Sequence, residues 1–100
     1  MNYEIQIFAK DRTKIIRFPE NDANNMSQLM AWEDFYYAMG AVIDDKADKF
    51  RENNTMIGRL DVRDIPFEEV VDIMCEDLNA YLTKILTEEQ EVSVVELELA

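Results

Sequence analysis

The amino-acid sequence predicts a single α+β domain in which a small, largely antiparallel sheet is covered on one face by two or three helices. Three observations predict it. Alternating apolar and polar residues mark strands at the two ends of the chain, apolar residues spaced three and four apart mark helices between them, and 100 residues suffice for one compact core but not for two. The resulting order β-β-α-(α)-(β)-α-β groups the helices between an N-terminal β-hairpin and a C-terminal strand.

Tyr3 to Phe8 places Tyr3, Ile5 and Ile7 on one face and Glu4 and Gln6 on the other, the period of a half-buried strand. Lys14 to Phe18 repeats it, with Ile16 and Phe18 facing one way and Ile15 the other. The short polar turn Lys10-Asp11-Arg12-Thr13 joins the two as a hairpin, and Pro19 ends the second strand because it offers no amide hydrogen to the ladder. Asn21 to Asn25 is rich in turn and helix-capping residues and leads into Met26, Leu29, Met30, Trp32, Phe35, Tyr36, Met39, Val42 and Ile43, a broad stripe at helical spacing. Gly40 is a candidate break in this stripe, since glycine costs about 1 kcal/mol relative to alanine inside a helix. The helical pattern continues weakly through Ala47 and Phe50 and ends at Asn53-Asn54.

Thr55 to Val62 alternates Met56, Gly58, Leu60 and Val62 with more polar positions, and reads either as a short strand or as a loop packed on the core. Asp64-Ile65-Pro66-Phe67-Glu68-Glu69 has the signature of a helix start, because proline is preorganised for a first turn and carboxylates favour the positive end of the helix dipole. Phe67, Val70, Val71, Met74, Leu78, Tyr81, Leu82 and Ile85 then predict one continuous helix to about Leu86. In Val92 to Leu99, Val95, Leu97 and Leu99 alternate with Glu96 and Glu98, which predicts a final strand with the first strand as its nearest available neighbour.

About half of the residues are apolar and a third charged, a globular composition and not that of a disordered tail. No apolar run approaches the roughly 20 residues of a membrane span, and the N-terminus alternates where a signal segment would be continuously hydrophobic. The single Cys75 falls among apolar positions of a predicted helix and reads as a buried thiol in a reducing compartment, so a cytoplasmic protein is expected.

The net charge of −12 is the most distinctive property. It repels nucleic acid and anionic membranes and attracts basic surfaces, so the expected partner is a protein with a basic surface. The excess is local: residues 1–63 hold eleven acids and nine bases, whereas 64–100 hold eleven acids and only Lys84. Glu69, Asp72 and Glu76 share a predicted helix face, and Glu68 and Asp72 form a second pair, with Asp77 beside them. Carboxylates four apart on a helix lie about 6 Å apart along its axis. Glu96 and Glu98, two apart on a strand, lie about 6.6 Å apart. Both spacings are near the distance between successive phosphates, so this surface fits the part of a nucleic-acid backbone in front of a basic groove. Like charges so placed cost about 0.2–0.5 kcal/mol per helical pair, although glutamate-rich helix faces also serve solubility alone.

Catalytic constellations are missing from the sequence. There is no histidine to act as base or metal ligand, and the lone cysteine therefore has no evident activator. Two glycines, Gly40 and Gly58, cannot make a phosphate-binding loop. Asp44, Asp45 and Asp48 lack the glycine and spacing of a calcium loop and read as a solvated helix end. The expectation is a protein without enzymatic activity and without cofactor. Of the aromatic cluster, Trp32, Phe35 and Tyr36 lie on the core stripe, while Tyr37 projects elsewhere and is the better interface candidate. The basic residues Lys10, Arg12, Lys14 and Arg17 gather on the hairpin, as ion-pair partners for the acidic end or as a self-association surface.

Two functions follow as expectations. The first is a non-enzymatic inhibitor or nucleic-acid mimic that occupies a basic surface of a partner protein through Glu68, Glu69, Asp72, Glu76, Asp77, Glu96 and Glu98. In size and charge alone, the chain is similar to the small acidic anti-CRISPR and anti-restriction proteins of phages. The second is an adaptor or assembly chaperone acting through an apolar and aromatic surface that includes Tyr37, for which a homo-oligomer is one expected form.

Overall fold

The computed structural model describes residues 2–18 and 28–88. Two β-hairpins connected through a helix make the framework. The first consists of β1 (Asn2–Ala9) and β2 (Thr13–Phe18); α1 (Gln28–Val42) and a 3-10 turn, Asp44–Lys46, lead to the second, β3 (Ala47–Glu52) and β4 (Thr55–Val62); α2 (Phe67–Met74) and α3 (Ala80–Thr87) follow. The strand order is β2-β1-β4-β3. Both hairpins are antiparallel, and β1 and β4 pair in parallel from Asn2 opposite Thr55 to Ala9 opposite Val62. This is the expected α+β class, with a sheet that is mostly antiparallel. The one parallel pair follows from connectivity: β2 and β3 run in the same direction on opposite edges with α1 between them, so their hairpin partners meet in parallel at the centre.

One face of the sheet carries the core. Ile5, Ile7, Ala9, Ile16, Phe18, Leu60 and Val62 pack against Trp32, Phe35, Ala38 and Met39 of α1, Phe67, Val70 and Met74 of α2, and Leu82, Ile85 and Leu86 of α3. Trp32 donates its indole N–H to the Glu4 backbone oxygen at 2.9 Å and stacks in parallel on Tyr36 at 5.5 Å between ring centres. Gly58 makes room for this arrangement. A Cβ there would lie 3.0 Å from Ile5 Cδ1, 3.2 Å from Met39 Cε and 3.3 Å from Trp32 Cζ2.

Several expectations are corrected. Residues 47–52 are a strand and not a weak continuation of the helix. Ala47 and Phe50, three apart, mimic a helical phase because they are the half-buried positions of an otherwise exposed edge strand. Asn53 and Asn54 adopt φ of 51° and 60°, the left-handed pair that a two-residue hairpin turn requires and that asparagine tolerates better than most residues. Thr55–Val62 is a full strand at the centre of the sheet. Gly40 does not break α1, which runs through it.

The long helix expected from Phe67 to Leu86 is two helices. The chain turns at Cys75–Leu78, and the Asn79 side-chain oxygen accepts the Leu82 N–H at 2.8 Å, capping α3. Cys75 is therefore a partly buried residue at the end of α2 and not a buried one inside a helix. The proposed strand Val92 to Leu99 and the capping stretch Asn21 to Asn25 lie outside the described residues. β1 already pairs on both sides, with β2 and β4, which removes it as the neighbour expected for a final strand.

Candidate acidic and apolar helical surface

The acidic surface is set by how α2 is anchored. Its N-terminus docks on the first hairpin turn: the Lys10 N–H donates to the Ile65 carbonyl at 2.8 Å, and the Phe67 N–H donates to Asp11 Oδ1 at 2.8 Å. Pro66 occupies the cap position and has no capping side chain, so Asp11 supplies the acceptor from a distant part of the chain. The Asp11 carboxylate also lies at the positive end of the helix dipole. Arg12 covers the Phe67 ring at 4.5 Å and fixes the same junction. With Phe67, Val70 and Met74 held in the core, Glu68, Glu69 and Asp72 are exposed on the opposite side.

Glu76 and Asp77 are exposed in the turn that follows. The expected line of Glu69, Asp72 and Glu76 along one helix is thus made by α2 only for the first two, and Glu76 lies in the turn beyond it. Glu96 and Glu98 lie outside the described residues. None of these five carboxylates pairs with a base among the described residues, where ion pairs join Arg17 to Glu4, Arg63 to Asp61 and Lys84 to Glu88.

α1 contributes a second character to the helical layer. Tyr37 is 69% exposed, as its phase predicts, and Met30 at 60% and Leu29 at 43% join it. The sequence reading placed Leu29 and Met30 on the core stripe. That stripe was too wide: α1 is apolar over most of its circumference, and only the side bearing Ala31, Trp32, Phe35, Ala38 and Met39 is buried. Asp34 is exposed between Met30 and Tyr37, and Glu33 is half-buried beside it.

Charge separates with architecture. α1 together with Phe67–Asp77 carries seven acids and no base, whereas residues 2–18 and 44–64, which form the sheet and its turns, carry nine bases and eight acids. The hairpin cations are not a free cluster: Arg17 pairs with Glu4 at 3.4 Å, Arg12 lies on Phe67, and Lys14 is only 1% exposed. Lys14 points to the core side, where its ammonium donates to the carbonyl oxygen of Glu88 at the C-terminus of α3. A cation there also complements the negative end of the helix dipole.

The sheet face opposite the helices carries a feature that the sequence reading missed. Arg59 lies 5.6 Å from the Phe8 ring centre and 4.9 Å from that of Phe50, and Arg63 lies 5.3 Å from Phe8. Arg59 also donates to Gln6 Oε1 at 3.0 Å. The available signal was the alternation of β4, which puts Ile57 and Arg59 opposite in phase to Leu60 and Val62. These guanidiniums are engaged in covering aromatic rings.

At the far end of α1, the Tyr36 hydroxyl donates to the Ala47 carbonyl at 3.4 Å. Burial, and then the charges of Asp48 and Asp44, raise its phenol above the ordinary value. Asp44, Asp45 and Asp48 do not converge as a cation site, and no such group of three ligands occurs among the described residues. No helix among them is long and apolar enough to cross a membrane. The chain matches no protein-family model, no curated protein and no solved structure.

Proposed function

We propose that this chain is a non-enzymatic binding protein whose acidic helical layer occupies a basic surface of a partner protein, in the place that nucleic acid would take. The observation that carries the reading is the exposure of Glu68, Glu69, Asp72, Glu76 and Asp77 with no base paired to them among the described residues. Carboxylates left unpaired at adjacent helix positions repel one another, and a cationic partner removes that repulsion on binding. The surrounding field favours the same class of partner and steers its approach.

The test compares the wild type with the triple variant E68K/E69K/D72K, each immobilised and exposed to host lysate, with retained proteins eluted by a salt gradient. The expected outcome is retention that is lost at high salt, reduced about tenfold or more by the triple variant, and displaced by added duplex DNA. Retention unaffected by both salt and charge reversal would overturn the reading.

A second reading, an adaptor that assembles through apolar contacts, is favoured by the exposure of Leu29, Met30 and Tyr37 on one helix. It predicts salt-resistant association that tolerates the charge reversals. Sedimentation of the free protein, giving a stable oligomer or a monomer, separates the two.

A further inference from the structure

We infer that the partner surface for this helical layer is a basic amphipathic helix, one that brings apolar side chains to Met30 and Tyr37 of α1 and lysines or arginines to Asp34 between them and to the carboxylates of the adjacent α2. The inference rests on the proposed acidic binding role and adds the partner's shape and chemistry to it. Three observations carry it. All of the exposed large apolar side chains among the described residues, Leu29, Met30 and Tyr37, belong to α1. Met30 and Tyr37 are seven residues apart, two turns or about 10 Å along one side of the helix, with Asp34 exposed between them. α1 and the α2 segment to Asp77 contain no base.

A groove lined only by lysines and arginines complements the carboxylates but leaves Met30 and Tyr37 facing charge. A purely apolar surface has the opposite fault and buries Asp34 without a partner, which is costly. A basic amphipathic helix meets both requirements, because residues three, four and seven apart on it recur at the spacing of Met30, Asp34 and Tyr37. Ala41, exposed one turn beyond Tyr37, adds little bulk and lets a second helix approach the end of α1 closely. Methionine adapts to varied apolar partners, and tyrosine combines ring contact with a polar tip.

The test uses two labelled synthetic peptides of equal length and charge, an amphipathic leucine–lysine helix and an oligolysine with glycine in place of leucine. Their binding to the full chain is followed by fluorescence anisotropy. The wild type is expected to bind the amphipathic peptide about tenfold more tightly than oligolysine. M30S/Y37S is expected to abolish that preference while leaving oligolysine binding unchanged, with a cooperative thermal melt like that of the wild type showing that the variant is folded. E69K/D72K is expected to weaken both peptides. Equal affinity of the wild type for the two peptides, or a preference that survives M30S/Y37S, overturns the inference and leaves the acidic reading standing. Failure of both peptides to bind at low salt overturns the two together.

Discussion

Two glycines show how differently one residue type acts in two places. Gly40 is inside α1, where a Cβ would meet only the exposed Asp44 side chain at 3.4 Å. Gly40→Ala therefore removes backbone freedom from the unfolded chain without a clash, and is expected to stabilise the protein by about 0.5–1 kcal/mol. Gly58 faces three packed side chains at 3.0–3.3 Å, and two of them, Ile5 and Met39, have no exposed surface to move into. Gly58→Ala is expected to cost about 1–3 kcal/mol. Urea denaturation of both variants checks the pair, and a destabilised G40A or a neutral G58A contradicts the packing described. Lys14 makes a related point about what a sequence shows. Its phase with Ile16 and Phe18 puts it on the core side, but its charge argues for the surface. One acceptor that its ammonium reaches there, the Glu88 carbonyl, is 74 residues away and has no local signature.

At the level of elements, legibility followed how far each pattern is local. The first hairpin was readable because a clean period of two flanks a polar turn, and the start of α2 was readable from its proline. The division between α2 and α3 was not, because both helices face the same core and Met74, Leu78 and Leu82 keep a spacing of four across the turn. Asn79 was the only local mark of a new helix start. Its role gives a prediction whose sign separates the two architectures. In a continuous helix, Asn79→Ala would stabilise through better helix propensity; as the cap of α3 it loses the bond to the Leu82 N–H and is expected to destabilise by about 1 kcal/mol. Thermal unfolding of N79A gives the answer. Likewise, β3 was hidden by two half-buried residues that happened to be three apart. The central place of β4 was hidden because parallel pairing with β1 is set by the crossover and not by anything within Thr55–Val62. The candidate carboxylates on α2 and Tyr37 on α1 were legible from their phase, whereas Leu29 and Met30 were not, since periodicity alone does not say which part of a wide stripe stays outside.

For the whole molecule, the separation of charge puts stability and binding in opposition. Asp72 is where the two meet. It lies three residues from Glu69 and four from Glu68, and it sits in the later half of α2, where the dipole disfavours a negative charge that the first turn would welcome. Asp72→Lys relieves both repulsions and improves the dipole interaction, so at low salt the variant is expected to be more stable than the wild type by about 0.5–1 kcal/mol. Screening weakens the same repulsions, and the Debye length falls from about 30 Å at 0.01 M salt to about 10 Å at 0.1 M. The wild-type melting temperature is therefore expected to rise with added NaCl, and the advantage of D72K to shrink. Binding to a cationic partner runs the other way, weakening with salt and with D72K. Melting curves and anisotropy measured on the same two proteins over one salt series test this opposition. An Asp72 that proves neutral for stability at low salt would mean that the helical layer carries its charge without strain, and the repulsion that a basic partner is proposed to relieve would be too small to matter.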